Sequence, residues 1–268
     1  MPNLFDNATN TQGVIVYGGE SSDDYGMVVA EAPAYERPKR KQTIYNVPGR
    51  NGSILFQQDA WEDVNRSYKV WLAESNSTNL PLAKRVDRAE AWLNSQKGYV
   101  RLEDNFEPDV FRLAYYSGGD GFSNNMTQYG EATINFTCRP ERFLKTADSP
   151  ITIDMTPLGS DRVPFTCNNT NDFASKPLFN LTIASTSVSF RINIGTRALT
   201  VSSGISGNIV IDCDTMQVYS ANGTNYSRYI SGTFPIIEPG SHTGFITLLA
   251  GSFSDITNAT YTPRYFVI

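Results

Sequence analysis

The sequence predicts a mainly β protein with a single α-helix, and three observations support that prediction. Aromatic residues make up 12% of the 268 residues, with 14 Tyr and 15 Phe, and many Thr, Ser, Asn and Val residues accompany them, a composition that favours strands. Short segments of alternating apolar and polar residues recur between turns that contain Gly or Pro. Only one segment shows the apolar spacing of three and four residues that a surface helix requires.

The length and a change in composition predict two domains. A chain of 268 residues is too long for one ordinary small domain. The segment from Thr146 to Arg162 is rich in Pro, Asp, Ser and Thr, which is typical of a domain boundary. We therefore predict a first domain over residues 1–145 and a second over residues 146–268.

The first domain is predicted to consist of strands around one helix. Arg139-Pro140 is expected to end the last strand, because proline cannot donate to a ladder, and Gly118-Gly-Asp-Gly121 is expected to form a mobile loop before it. The predicted strands are Val14–Tyr17, Tyr25–Ala32, Thr43–Val47, Ser53–Phe56, Arg66–Leu72, Tyr99–Glu103, Val110–Tyr116 and Glu131–Cys138.

The predicted helix covers about residues 80–97. Its apolar stripe consists of Leu82, Val86, Ala89, Trp92 and Leu93. The expected N-terminal caps are Thr78 or Asn79, with Pro81 in the first turn, and the left-handed residue after the C-terminus is Gly98.

The second domain is predicted to be an all-β sandwich of jelly-roll or lectin-like type, because no helical spacing appears in it and turns recur at strand-like intervals. The predicted strands are Lys176–Ala184, Val188–Ile194, Ala198–Val201, Ile209–Asp212, Gln217–Tyr219, Gly232–Ile237 and Gly244–Leu249.

Charge and hydropathy argue against several classes of partner. The formal net charge of −5 disfavours a nucleic-acid-reading protein. No apolar run is long enough for a transmembrane helix, and the polar segment Met1–Gln12 does not resemble a secretory signal. We therefore expect synthesis in the cytoplasm, without membrane insertion.

Neither a catalytic site nor a cofactor or metal site is predicted. The single histidine, His242, lies in a turn-like stretch, and a catalytic triad would require the fold to bring Ser and Asp to it. The acidic pairs Glu62/Asp63, Glu103/Asp104 and Glu107/Asp109 all lie near expected loops, but such pairs arise freely among 27 acidic residues, so they do not predict a catalytic pair of carboxylates. The three cysteines are far apart and form no CxxC pair, so we expect buried free thiols rather than a zinc site.

The strongest charge feature is the basic run formed by Arg37, Lys39, Arg40 and Lys41. By pattern alone it could be a nuclear-localisation signal or a contact with a polyanion, including passing DNA. We favour a solvated strand edge whose charges prevent wrong pairing, or a surface for salt bridges between subunits.

Several segments, taken in order, resemble the distal tail protein family of siphophages. The first is Asn46-Val-Pro-Gly-Arg-Asn-Gly-Ser-Ile-Leu55, which contains Pro48, Gly49, Arg50 and Gly52. The segments that follow it are Tyr68-Lys-Val-Trp-Leu72, Ala91-Trp-Leu93, Gly98-Tyr-Val-Arg-Leu102, Phe111-Arg-Leu-Ala-Tyr-Tyr116, Ile134-Asn-Phe-Thr-Cys-Arg-Pro140, Gly207-Asn-Ile-Val-Ile-Asp-Cys213 and Gly232-Thr-Phe-Pro-Ile-Ile-Glu-Pro-Gly240.

The resemblance implies two β-sandwich domains, the first bearing the helix and forming a hexameric ring, the second galectin-like. Such a ring is the hub of a tail tip or baseplate in the virion. It joins the tail tube protein to the tail-associated fibre or lysin protein and to receptor-binding proteins, and it lets DNA pass unread. Whether two rings stack stays open. The chain is too short for the extra arm with which larger members hold receptor-binding proteins.

Two sets of aromatic residues are candidates for binding. A ring interface needs aromatic anchors, and the candidates by residue type are Trp61, Trp71, Tyr115 and Tyr116. The alternative function is a carbohydrate-binding module that contacts cell-wall glycans. Its aromatic platform would be formed by Tyr219, Tyr226 and Tyr229.

Overall fold

The structure, a computed structural model, describes residues 13–72, 81–125, 129–159 and 161–268. Within these residues the fold is mainly β with one α-helix, as predicted. Contacts divide the chain into two compact units, Met1–Arg142 with Ile268, and Phe143–Val267. The assignment of residues 1–145 to a ring-forming domain and of 146–268 to a galectin-like domain stays a prediction. No helix in the described part of the chain has the length and apolar character needed to cross a membrane.

The first unit is built on one antiparallel sheet with the main strand order β2-β1-β7-β8-β10-β6-β3. Strict alternation positions the core: Tyr68, Val70 and Leu72 of β6 are buried, as are Ile134 and Phe136 of β10. The strands up to β10 are β1 Ile15–Tyr17, β2 Glu20–Ser21, β3 Met27–Val29, β4 Arg40–Tyr45, β5 Ile54–Trp61, β6 Val64–Leu72, β7 Val100–Asp104, β8 Val110–Gly119, β9 Ser123–Asn125 and β10 Tyr129–Leu144.

This sheet curls until its two ends nearly meet. Val29 of β3 donates its backbone N–H to the carbonyl of Gly13, just before β1, at 2.8 Å. The concave side is filled by helix α1, Leu82–Ser95, which buries Ala89, Trp92 and Leu93 in the same core. The sandwich implied for this half therefore takes the form of one curled sheet with a helix inside its curve.

The helix lies where its apolar spacing predicts, but its ends differ from the prediction. Its N-cap is Pro81, which offers no side-chain hydrogen bond; Thr78 and Asn79 lie outside the described residues. Gly98 has the expected positive φ of 74°. The helix stops earlier than Lys97 because Gln96 is already extended, and the Ser95 hydroxyl donates to the Trp92 carbonyl at 2.7 Å.

Two predictions about strand ends in this unit are wrong. Strand β10 does not stop at Pro140 but continues to Leu144. Its pairing with β6 ends at Cys138, opposite Val64, so the missing N–H of Pro140 removes no bond from that ladder. The predicted mobile loop at residues 118–121 is partly strand, since β8 reaches Gly119.

The second unit is a sandwich of two five-stranded antiparallel sheets with orders β11-β20-β13-β16-β17 and β12-β19-β14-β15-β18. Both sheets contribute to one buried core, where the rings of Phe165 and Phe179 lie 6.0 Å apart. The ten strands of these sheets are β11 Ile151–Thr152, β12 Arg162–Asn169, β13 Leu178–Ile183, β14 Ser189–Ile194, β15 Arg197–Val201, β16 Gly207–Asp212, β17 Gln217–Ser220, β18 Ile230–Gly232, β19 Gly240–Ala250 and β20 Ile256–Thr262. A further strand, β21 Phe266–Val267, belongs to neither sheet.

The strands of this unit differ from the prediction at several places. The predicted strand Gly232–Ile237 is shifted, because β18 ends at Gly232. Strands β11, β20 and β21 are not among the predicted strands, and neither is β12, whose Pro164 argues locally against a strand. Because β12 is an edge strand, the missing N–H of Pro164 is tolerated there. Galectin-like similarity of this unit stays a prediction.

Candidate assembly surface

The most unusual feature of the first unit is a hairpin formed by β4 and β5. Its register pairs Thr43 with Phe56, Ile44 with Leu55 and Tyr45 with Ile54. The two strands form a sheet of their own and pair with no other strand in the described residues. An isolated two-stranded hairpin is only marginally stable in water, so this element is expected to gain stability from packing against something else.

Both faces of this hairpin are apolar and exposed. Side chains alternate along each strand, so Tyr45 and Phe56 share one face, with their rings edge to face at 5.6 Å, while Ile44 and Leu55 share the other. These four residues are 55%, 58%, 57% and 50% exposed, respectively. Side chains of this size are rarely left in water together on both sides of a strand pair. The sequence signal that was missed is the adjacent pairs Ile44-Tyr45 and Leu55-Phe56, which break the alternation of a half-buried hairpin.

The turn of the hairpin contains the segment on which the family resemblance begins. Gly49 and Gly52 have φ values of 80° and 78°, which glycine adopts without strain. Pro48 precedes Gly49, and the N–H of Arg50 donates to the Val47 carbonyl at 3.2 Å. These residues shape the exposed tip of the hairpin.

The basic run leads into the base of the hairpin. Arg40 is anchored there, with its guanidinium 4.8 Å from the centre of the half-buried Trp61 ring and 3.3 Å from the Asp59 carboxylate. Arg37, Lys39 and Lys41 are exposed and form no ion pair with any described residue. The hairpin thus combines an apolar tip with a positively charged base.

The other predicted anchors lie on strands of the main sheet and not on the hairpin itself. Tyr115 is 39% exposed on the convex face of the curled sheet, where its ring meets that of Tyr99 at 5.3 Å. Trp71 is half-buried on β6. Tyr116 faces the core instead, packed 5.8 Å from Phe136, because it alternates with Tyr115 along β8. The structure therefore places Tyr115 on the surface and Tyr116 in the interior.

A buried ionic network contains one carboxylate from each of two acidic pairs, Asp104 and Glu107. The carboxylate of Asp104 accepts from Arg66 and from the Tyr68 hydroxyl, both at 2.7 Å, and Glu107 binds Arg66 and Arg112 at 3.1 and 2.6 Å. Burial opposes the charged form of Asp104, but the Tyr68 hydroxyl and the Arg66 guanidinium outweigh it and lower the pKa of Asp104. Every carboxylate in this network is engaged with a cation, which is a structural rather than a catalytic arrangement.

The remaining candidates give no arrangement that favours chemistry. His242 is half-buried, and its Nε2 lies 3.2 Å from the Pro239 carbonyl. Among the described residues, no group of His, Cys, Asp or Glu has the geometry of a metal site. All three cysteines are buried and free, as predicted: Cys138, Cys167 and Cys213.

The three tyrosines of the predicted sugar platform do not form one flat surface. The rings of Tyr226 and Tyr229 meet edge to face, with an interplanar angle of 72°, and both pack against the core of the second unit. Tyr219 lies on β17 next to the same segment, where it bridges to Asn225 and the Tyr226 N–H donates to the Val218 carbonyl at 2.7 Å. A pyranose stacks on a flat exposed ring, so this geometry does not favour a platform built from the three together.

Comparisons with known proteins give a match in structure but not in sequence. No protein-family model matches the chain, and no curated protein matches it. Among solved structures, the Dit protein (gp 19.1) of phage SPP1 aligns with 93% of this chain and 96% of its own, with a TM-score of 0.63 and 14% sequence identity. That protein is described as a paradigm of the hub adsorption apparatus in phages that infect Gram-positive bacteria. At this level of identity the match establishes the fold alone: the chain has a fold similar to that of the SPP1 Dit protein.

Proposed function

We propose that this protein is a structural, non-enzymatic hub subunit at the distal end of a siphophage tail, where copies of it assemble into a ring. The exposed hairpin is the observation that carries the proposal. The shared fold with a phage hub protein supports it, because the similarity extends over nearly the whole of both chains.

The hairpin favours a ring over a two-fold dimer. Both of its apolar faces are buried when the hairpin lies between two surfaces of a neighbour, whereas packing against another hairpin covers one face. One subunit then gives the hairpin and receives its neighbour's hairpin at a different surface, which is a head-to-tail contact. Contacts of this kind close into rings when the rotation between subunits allows it. A hexamer is the stoichiometry that the family resemblance implies.

The charge distribution agrees with this arrangement. The exposed cations Arg37, Lys39 and Lys41 at the base of the hairpin would face an acidic strip on the neighbouring subunit, in a chain whose formal net charge is −5. Complementary charge at the rim of an interface mainly sets the rate and orientation of association. The same net charge suits a conduit through which DNA passes without being retained.

The partners proposed for the ring follow from its position in a tail. One side would bind the tail tube protein, and the other would bind the tail-associated fibre or lysin protein. Receptor-binding proteins would attach at the periphery. Neither a cofactor nor a metal is part of this function.

The test is the mass of the purified protein by light scattering, with negative-stain images of the same sample. A mass of six or twelve subunits together with ring-shaped particles is the expected result. A protein that stays monomeric alone and also in the presence of its tail tube partner would refute the proposal.

A further inference from the structure

The outer face of one sheet in the second unit has an unusual composition. The strands of the sheet β12-β19-β14-β15-β18 contain no Asp or Glu and three arginines, although the chain has 27 acidic residues against 22 basic ones. The strands of the opposite sheet contain one acidic residue, Asp212, and neither Lys nor Arg. The outer face of the sheet β12-β19-β14-β15-β18 is therefore a locally positive surface on an acidic protein.

Five side chains on this sheet form one row across the strands. The registers pair Arg162 with Thr247, Thr247 with Arg191, Arg191 with Thr200 and Thr200 with Ser231. Each of the five alternates with a buried or inward neighbour along its strand, so all face outward. We call these five residues the arginine row. Arg162 and Arg191 are two strands apart, which separates their backbones by about 10 Å.

Both arginines of the row are exposed, and the contact that orients each of them does not involve a carboxylate. The guanidinium of Arg162 lies 5.1 Å from the ring centre of Phe245, and Nε of Arg191 donates to the Thr200 hydroxyl at 3.2 Å. Neither guanidinium forms an ion pair with a carboxylate in the described part of the chain. Elsewhere in the same unit Arg264 is paired with Asp212 at 2.8 Å. Two oriented cations without counter-charges are thus available to an external anion.

The pattern of the row specifies the chemistry of a ligand. A guanidinium fork matches the oxygens of a phosphate group, and the three hydroxyl side chains match the hydroxyls of a polyol or a sugar. Nucleic acid fits less well, because single strands bind by stacking on exposed aromatic rings, and the ring of Phe245 is half-buried with Arg162 over it.

We propose that the arginine row binds a polyol-phosphate chain. Successive phosphates lie on Arg162 and Arg191, and the hydroxyls between and beyond them are bound by Thr247, Thr200 and Ser231. The site differs from the tyrosine platform considered above in both position and charge. It lies within one unit, so it does not require the ring, and a monomer should bind as well as an assembled protein.

The experiment is a titration of the full chain with poly(glycerol phosphate) at low ionic strength, in which calorimetry or thermophoresis measures the binding. The double variant Arg162→Gln/Arg191→Gln should weaken binding by about tenfold or more, since each lost bond to a charged group is significant on its own. Arg197→Gln is the matched control. It removes one positive charge from the same sheet, as Arg162→Gln and Arg191→Gln each do singly, so these two single variants are measured beside it; its side chain alternates with the row at the β14–β15 turn. Binding by that variant should stay close to that of the unmodified protein.

Three results would overturn the proposal. They are an absence of binding by the unmodified protein, equal losses in the double variant and in Arg197→Gln, and equally tight binding of a single-stranded oligonucleotide of the same charge. Thermal unfolding verifies that the double variant is folded, as expected for two exposed side chains. Measuring a ring-deficient variant in the same titration separates this inference from the proposed assembly, because that variant should retain full binding.

Discussion

Replacing one exposed residue on each face of the hairpin, as in Ile44→Ser/Phe56→Ser, should prevent assembly without unfolding the subunit. Full burial of a large apolar side chain is worth about 1.5–3 kcal/mol. Ile44 and Phe56 are 57% and 58% exposed, so a partner that covered the remainder would gain about 0.9–1.7 kcal/mol from each. The double variant should therefore lose about 2–3 kcal/mol per contact, a weakening of about 30- to 150-fold.

The assay is sedimentation velocity over a range of protein concentrations. The unmodified protein should form the assembly at concentrations where the double variant is monomeric. Gln57→Ser is the control, because it changes an exposed polar residue of β5 and removes no apolar surface. Thermal unfolding should be the same for all three proteins, since the hairpin pairs with no other strand in the described residues. If the double variant assembled at the same concentrations as the unmodified protein, the hairpin would not be the interface.

Three further predictions concern the folded subunit. Asp104→Asn should lower the free energy of unfolding by about 3 kcal/mol at pH 7, because Arg66 loses a buried partner, whereas Asp59→Asn at the surface should change it little. The pKa of Asp104 is lowered by folding, so its contribution to stability is present above about pH 4 and is lost as the pH falls further. Urea titrations of the unmodified protein and of Asp104→Asn at several pH values should show their free energies of unfolding converging in acid. A difference that persisted in acid would refute this. Gly119→Ala should lower the melting temperature, because the added Cβ would lie 2.1 Å from the Thr133 carbonyl oxygen. An unchanged melting temperature would mean that the backbone around Thr133 moves away from the new Cβ at no cost in stability. Burial raises the pKa of the thiols and hides them, so a thiol reagent should modify none rapidly in the native protein and three after denaturation, namely Cys138, Cys167 and Cys213.

The parts of the fold that local pattern determines could be predicted from the sequence. The helix was found because Ala89, Trp92 and Leu93 follow helical spacing, and β6 because its alternation is regular. Strand β12 was missed because Pro164 argues locally against a strand, and only its edge position, a property of the whole sheet, makes the proline harmless. The extension of β10 past Pro140 was missed for a similar reason: where a ladder ends depends on the partner strand.

The candidate surfaces depended even more on tertiary structure. The basic run and the turn around Gly49 point to the hairpin, but its apolar faces become evident only because β4 and β5 pair with no other strand of the described residues. The arginine row could not be predicted at all, because Arg162 and Arg191 are brought together by the strand order β12-β19-β14 and are distant in sequence.

The closure of the curled sheet has a mechanical consequence. Among the described residues its ends are joined by one backbone hydrogen bond, from Val29 to Gly13, whereas β6 and β10 are paired continuously from Gly130 to Cys138. Under tension the junction between Gly13 and Val29 would therefore open first, while the ladder between β6 and β10 stayed intact. Gly13 also admits no side chain, since a Cβ there would lie 2.6 Å from that of Val29. The unit therefore resembles a cylinder with a seam, and the amide of Val29, whose hydrogen bond crosses the seam, should exchange with solvent before that of Val28, which faces β6.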